Sequence, residues 1–95
     1  VCRYGGEEFL VIFPDMDLDT TLRVADKIRL SVCEDPVALP TGDAVIPITA
    51  SIGATELCER NNDPGGNRMV EEADQALYQA KNSGRNRVVC FEEGM

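Results

Sequence analysis

Two adjacent glycines, Gly5 and Gly6, separate two runs of strand-forming residues and constrain the fold more than any other feature. Residues 1–4 form the first run, and residues 9–13 form a second run that is apolar on both of its alternating faces. Glycine adopts the positive φ angles that a tight hairpin turn requires. A strand that is apolar on both faces is typical of one covered on two sides. The sequence therefore predicts a β-hairpin whose second strand is buried.

Two later segments carry apolar residues at intervals of three and four, the spacing of an amphipathic helix. The first predicts a helix over residues 19–33, with Asp17 or Asp19 as its N-cap. Its outer face would carry three cations, Arg23, Lys27 and Arg29.

The second predicts a helix over residues 68–82, after an exposed loop at residues 60–67 whose last residue, Asn67, could cap it. Gly84 stands where a C-terminal cap is expected. The buried stripe of this helix would consist of Val70, Ala73, Leu77 and Ala80.

Strands are predicted over residues 45–54 and 87–91, which gives the order hairpin, helix, strand, helix, strand. This order favours an α+β fold with a central, antiparallel-dominated sheet and helices on its faces. A chain of 95 residues with 43% hydrophobic content has room for one core and therefore one domain.

Charge and cysteine spacing exclude several classes of function. The formal net charge of −8 repels a polyanionic backbone, so we expect no nucleic acid partner, whereas a single nucleotide needs only a few local cations. Four widely spaced cysteines without any histidine make a zinc site implausible, and free thiols are favoured over a disulfide framework. The sequence lacks a long apolar run, which predicts a cytoplasmic segment without membrane contact, although another region could anchor the protein.

The Gly-Gly turn is also the first candidate for chemistry. Gly5 and Gly6 would allow phosphate oxygens to approach backbone N–H groups, and Glu7 and Glu8 offer hard oxygen ligands for a metal. Lys81 and Arg85 lie four residues apart near the end of the last helix, where both could reach one phosphate tail. The residues alone leave simpler interpretations open: an ordinary solvated hairpin for the first group and pairing with the helix dipole for the second.

Four separated blocks resemble the GGDEF family of diguanylate cyclases, in the variant with Glu at the third motif position. They are RYGGEEF at residues 3–9, LVIFPD at 10–15, ITASIGAT at 48–55 and ADQALYQAKNSGRNRV at 73–88. The resemblance implies a fold related to the palm-like, ferredoxin-like core of nucleotidyl cyclases. It also implies that residues 1–95 are the C-terminal portion of a single GGDEF domain, whose earlier half carries a metal-binding Asp and the residues that read guanine.

By resemblance, the domain condenses two GTP molecules into cyclic di-GMP and pyrophosphate across a homodimer, in bacterial second-messenger signalling. Glu7 would bind Mg²⁺ or Mn²⁺ and assist removal of the 3′-hydroxyl proton, with Glu8 supporting the metal. Gly5 and Gly6 would let the hairpin approach the nucleotide. Lys81 and Arg85 would hold the β and γ phosphates. An upstream sensory or receiver domain is expected, and the 95 residues alone are expected to be inactive.

Three alternatives remain at this point. A degenerate member of the same family would bind GTP or cyclic di-GMP as a sensor without turnover. A purely structural role would have exposed strand edges pair with another copy of the chain. Arg23 and Lys27 resemble cations that help bind a regulatory cyclic di-GMP dimer in some family members, but a solvated helix face is the favoured explanation for them.

Overall fold

The structure, a computed structural model, contains two helices and six short strands within the residues it describes. Those residues are 2–3, 9–34, 37–38, 40–42, 45–46 and 48–95. In chain order the elements are β1 (Cys2–Arg3), β2 (Phe9–Leu10), α1 (Leu18–Glu34), β3 (Val37–Ala38), β4 (Val45–Ile46), β5 (Ile52–Ala54), a 3₁₀ turn (Glu59–Asn61), α2 (Asn67–Asn82) and β6 (Val88–Cys90).

The strands pair two by two within the described residues. β1 and β2 are antiparallel, with Arg3 opposite Phe9, which confirms the predicted hairpin. β3 and β4 form a second antiparallel pair. β5 and β6 are parallel, with Gly53 opposite Val89, and they are the strands on which both helices pack.

The prediction of an antiparallel-dominated central sheet is therefore wrong for the pair of strands that the helices cover. The physical reason is the connection: α2 leads from the end of β5 back to the start of β6, and a crossover through a helix returns the chain in the same direction. The α+β class itself agrees with the structure.

Small residues bring α2 close to the sheet. Ala76 and Ala80 are 0% exposed, and Ala54 and Ala25 are also buried. Gly53 lies directly against the backbone of α2 at Ala73 and Leu77, where a side chain would find no room. In the described residues α1 and α2 each contact the strand pair but not each other, which places them on opposite faces of β5 and β6.

Helix α1 begins as the sequence predicts. Asp17 is its cap, because the carboxylate accepts a hydrogen bond from the Thr20 backbone N–H at 2.7 Å. That backbone hydrogen bond lowers the pKa of Asp17.

Helix α2 is capped differently from the prediction. Asn67 is its first helical residue, preceded by Gly66 with φ of 73°. The Arg68 N–H instead donates to the carboxylate of Asp63 at 3.1 Å. Asp63, and not the predicted cap Asn67, therefore accepts a hydrogen bond from a backbone N–H in the first turn of α2.

Two predicted strands are shorter in the structure. Of residues 9–13 only Phe9–Leu10 is strand, and Ile12 is 75% exposed. The predicted burial on both faces fails because the helices cover β5 and β6 instead. The predicted strand at residues 45–54 divides into β4 and β5, which pair with different partners. Pro47 stands between them, and a proline has no N–H to donate to a ladder.

Candidate functional site

The candidate phosphate-binding cations lie at the C-terminal end of α2. Lys81 is half-buried in the last turn of the helix, and Arg85 is exposed just beyond it. The helix closes through two hydrogen bonds, from the Ser83 N–H to the Gln79 carbonyl and from the Arg85 N–H to the Ala80 carbonyl, each 2.9 Å long. Such bonds satisfy carbonyls that a helix end leaves without partners. Both cations are therefore carried by one well-defined helix end, as the sequence predicted.

The turn after α2, residues 83–87, has an unusual backbone. Gly84 has φ of 127°, and the next two residues, Arg85 and Asn86, have φ of 62° and 48°. Gly84 does act as the predicted C-terminal glycine. Two consecutive non-glycine residues in the left-handed region are uncommon, because the Cβ atom crowds the backbone there.

Contacts from three directions hold this turn. Arg29 of α1 donates from Nη1 to the Asn86 side-chain oxygen at 3.0 Å and to the Asn86 carbonyl at 3.4 Å. The Asn86 N–H donates to the Ser51 hydroxyl at 3.2 Å. Arg87 folds back so that its Nε donates to the Arg85 carbonyl at 3.0 Å, with its guanidinium over Gly84.

The prediction that Arg29 belongs to a solvated outer face of α1 is wrong. Its side chain is only 17% exposed, and its Nε also donates to Asp26 at 2.8 Å. Arg23 and Lys27 are exposed, as predicted. Spacing alone could not separate Arg29 from these neighbours, since its partner Asn86 lies 57 positions later in the chain.

The four residues of the Gly-Gly-acidic motif, Gly5, Gly6, Glu7 and Glu8, lie outside the described residues. The β1–β2 pairing places the motif between two antiparallel strands. Among the described residues no group of three or more His, Cys, Asp or Glu side chains could hold a metal ion. Glu7 and Glu8 as metal ligands stay a prediction, and carboxylates are the donor chemistry that Mg²⁺ or Mn²⁺ accepts.

A second polar cluster, which the sequence did not predict, surrounds Glu72 of α2. The Glu72 carboxylate accepts hydrogen bonds from Thr55, Asn61 and two nitrogens of Arg60, at 2.8 to 3.0 Å. The hydrogen bonds from Arg60 hold the pKa of Glu72 at about 2 despite its burial, and the same pairing raises the pKa of Arg60. The Arg60 guanidinium also lies 5.1 Å from the centre of the Phe91 ring.

The prediction of an exposed loop at residues 60–67 holds for most of the segment but is wrong for Asn61. Asn61 is 0% exposed, and its amide bridges the Glu56 carbonyl and Glu72. One signal was present in the sequence: Glu72 precedes Ala76 and Ala80 by four and eight residues, which places it on the buried stripe. Every polar atom of the cluster that is buried among the described residues has a partner, so the cluster is structural.

A shallow groove of about 460 Å³ lies between α1 and β6, beside the turn at residues 83–87. Cys90 lines it, and burial raises the pKa of its thiol. Cys33, Cys58 and Cys90 are free thiols in the described part of the chain, in agreement with the prediction. Neither helix within the described residues is both long and apolar enough to cross a membrane.

Taken together, the βαβ unit with a helix on each face and the separate antiparallel strand pairs define an α+β fold. The family model described as "Diguanylate cyclase, GGDEF domain" matches residues 1–87. The chain therefore belongs to the GGDEF family.

Relatives with known names agree with this assignment. The chain is 43% identical over 88 residues to the response regulator PleD of Caulobacter vibrioides, covering 93% of this chain and 19% of PleD. It is 40% identical over 95 residues to the diguanylate cyclase DosC of Escherichia coli K12, covering all of this chain and 20% of DosC. The chain thus spans about a fifth of the length of these relatives.

Among solved structures, the GGDEF domain of DgcB from Caulobacter crescentus in complex with c-di-GMP matches with a TM-score of 0.70. The two are 31% identical, and the match covers 82% of this chain and 44% of that chain. The described fold is therefore that of part of a GGDEF domain.

Proposed function

We propose that the protein containing this chain is a diguanylate cyclase that condenses two GTP molecules into cyclic di-GMP and pyrophosphate. The observation that carries the proposal is the intact Gly5-Gly6-Glu7-Glu8 run inside the region that matches the family. The relative DosC, named a diguanylate cyclase, aligns with all of this chain. The carboxylates at this turn would supply the oxygen ligands that a magnesium- or manganese-dependent nucleotidyl transfer uses.

In this proposal each residue has a separable role. Glu7 takes the proton of the attacking 3′-hydroxyl and, with Glu8, holds Mg²⁺ or Mn²⁺. Gly5 and Gly6 leave room for the nucleotide beside the turn, because neither carries a Cβ atom. A metal held by Glu7 and Glu8 would supply polarisation of the α-phosphate for in-line attack.

Lys81 and Arg85 bind the β and γ phosphates from the end of α2. Arg85 suits this role because its exposed guanidinium extends from a turn that is fixed on both sides by hydrogen bonds. Cations at this position neutralise the charge of the pyrophosphate that leaves. The reaction joins two nucleotides, so we propose that two copies of the domain meet as a homodimer, each presenting one GTP.

The test is Glu7→Gln in the full-length protein, assayed for cyclic di-GMP formation from GTP with Mg²⁺ and with Mn²⁺. We expect turnover to fall at least about 1,000-fold with the melting temperature unchanged, because a loss of several kcal/mol of transition-state stabilisation corresponds to such a factor. Glu59→Gln, which removes the same charge from the exposed 3₁₀ turn, should retain turnover within about twofold.

Equal turnover of Glu7→Gln and the wild type would contradict the assignment of Glu7. A wild-type protein that bound GTP or cyclic di-GMP without turnover would instead support the sensor alternative. That alternative is less favoured, because degenerate family members usually lose the acid or a glycine of the motif, and this chain retains all four residues.

A further inference from the structure

We propose that Arg29 is a positioning residue for Arg85: from helix α1 it holds the left-handed turn that aims Arg85 at the nucleotide phosphates. The inference rests on the proposed function, since it assumes that Arg85 binds phosphate. It adds a residue on the opposite face of the strand pair whose role is to fix the direction of a ligand-binding side chain.

The backbone of the turn is held in an unfavourable conformation. Arg85 and Asn86 both have positive φ, and residues with a Cβ atom adopt this region only when their surroundings impose it. Asparagine tolerates it better than arginine does. The direction of the Arg85 side chain therefore depends on whatever holds Asn86 in place.

Asn86 is bound from α1 by the side chain of Arg29. Arg29 donates to its side-chain oxygen at 3.0 Å and to its carbonyl at 3.4 Å, so one guanidinium nitrogen contacts two atoms of the residue. The Arg29 guanidinium is itself fixed by Asp26 at 2.8 Å. Its side chain is 17% exposed, which limits the alternative positions open to it.

The backbone of Arg85 makes two hydrogen bonds of its own. Its N–H donates to Ala80 at 2.9 Å, and its carbonyl accepts from Arg87 at 3.0 Å. The first bond fixes the turn to α2, and the second joins two residues of the turn to each other. Together with Ser51, which binds the Asn86 N–H, Arg29 fixes the turn to the rest of the fold.

The experiment measures KM and kcat for GTP in the full-length protein carrying Arg29→Met, Arg29→Lys or the control Arg68→Met. We expect Arg29→Met to raise KM about tenfold with kcat changed less than about threefold, because phosphate binding is lost in ground and transition states alike. Arg29→Lys keeps a charged hydrogen-bond donor, so its KM should stay within about threefold of the wild-type KM. The Arg68 side chain donates one hydrogen bond, at the far end of α2, so Arg68→Met should leave both constants within about twofold of the wild type.

A double-mutant cycle tests whether the effect passes through Asn86. Asn86→Gly keeps positive φ accessible and removes the side-chain oxygen that Arg29 binds. If Arg29 acts through this oxygen, the KM of the double variant should lie within about twofold of the KM of whichever single variant binds GTP more weakly. Additive increases would overturn the inference, as would an Arg29→Met protein that behaves like Arg68→Met.

Hydrogen exchange separates this inference from the proposed function. The Asn86 amide should exchange at least about tenfold faster in Arg29→Met than in the wild type or Arg68→Met, whether or not the protein turns over GTP. Unchanged exchange would overturn the holding role of Arg29. If the wild-type protein does not convert GTP, the proposed function and the phosphate-aiming role of Arg29 are both overturned. If the wild type converts GTP and Arg29→Met has the same KM and kcat, only the inference about Arg29 is overturned.

Discussion

At the scale of single residues, Glu72 is a buried carboxylate whose charged form is stabilised by hydrogen bonds. Burial of a carboxylate disfavours ionisation, but hydrogen bonds that favour the charged form oppose this effect. Arg60, Asn61 and Thr55 supply four such bonds, and their sum lowers the pKa of Glu72 to about 2. The charged side chain therefore connects α2 to the segment that follows β5.

This lowered pKa makes a prediction about stability and pH. The folded pKa of about 2 is below the ordinary value of 4.5, so the unfolded chain binds the proton more readily between these values. The stabilisation is complete above pH 4.5 and is lost as the pH falls towards 2. We expect Glu72→Gln to lower the free energy of unfolding at pH 7 by about 2 kcal/mol and to reduce its fall at acidic pH.

Denaturant unfolding of the full-length protein at several pH values between 7 and 2 checks this, at the transition of the GGDEF domain. Glu71→Gln removes the same charge from the exposed neighbour and should change stability at pH 7 by less than about 0.5 kcal/mol. Parallel curves for the wild type and Glu72→Gln across the acidic range would contradict the assignment.

At the scale of elements, the contact between β5 and α2 depends on the absence of a side chain at Gly53. A Cβ atom built at this position would meet the Ala73 carbonyl oxygen and the Leu77 backbone nitrogen. Backbone atoms of a helix cannot move singly, so the whole helix would have to shift away from the sheet.

Gly53→Ala should therefore destabilise the domain by about 3 kcal/mol, at the upper end of what overpacking costs. Gly66→Ala is the control: Gly66 has φ of 73°, but a Cβ atom built there meets no other atom within 4 Å, so the substitution should cost only about 1 kcal/mol of backbone strain. Thermal melts of both variants beside the wild type give the comparison. A Gly53→Ala protein as stable as Gly66→Ala would show that the contact is looser than the structure places it.

The helices of this fold could be predicted from the sequence more accurately than its strands. The helices were predicted to within one residue at each end, because the three-and-four spacing and the Asp17 cap are local signals. The ends of the strands and their burial were not predicted correctly. Ile12, for example, is exposed because the helices pack elsewhere, which its neighbours in the sequence do not indicate. Lys81 and Arg85 could be chosen from the motif, whereas Arg29 could not, since its role arises from a contact across the fold.

At the scale of the whole molecule, the chain covers only part of the domain that its relatives possess. It matches 44% of the DgcB GGDEF chain and a fifth of DosC. Within the described residues β5 pairs on one edge only, with β6. We propose that a further metal-binding Asp and the residues that read guanine lie in the earlier half of the domain, so that Glu7 acts together with a carboxylate from that half.

We therefore predict that the isolated 95-residue chain forms cyclic di-GMP at least about 1,000-fold more slowly than the full-length protein at equal concentration, since loss of even one charge-stabilising group costs 10²- to 10³-fold. Chromatography of GTP reactions with Mg²⁺ and with Mn²⁺ measures both rates, and circular dichroism of the isolated chain reports whether α1 and α2 form. Turnover within tenfold of the full-length protein would mean that Glu7 and Glu8 suffice for metal binding and proton removal. The earlier half would then serve regulation and dimer contacts rather than chemistry.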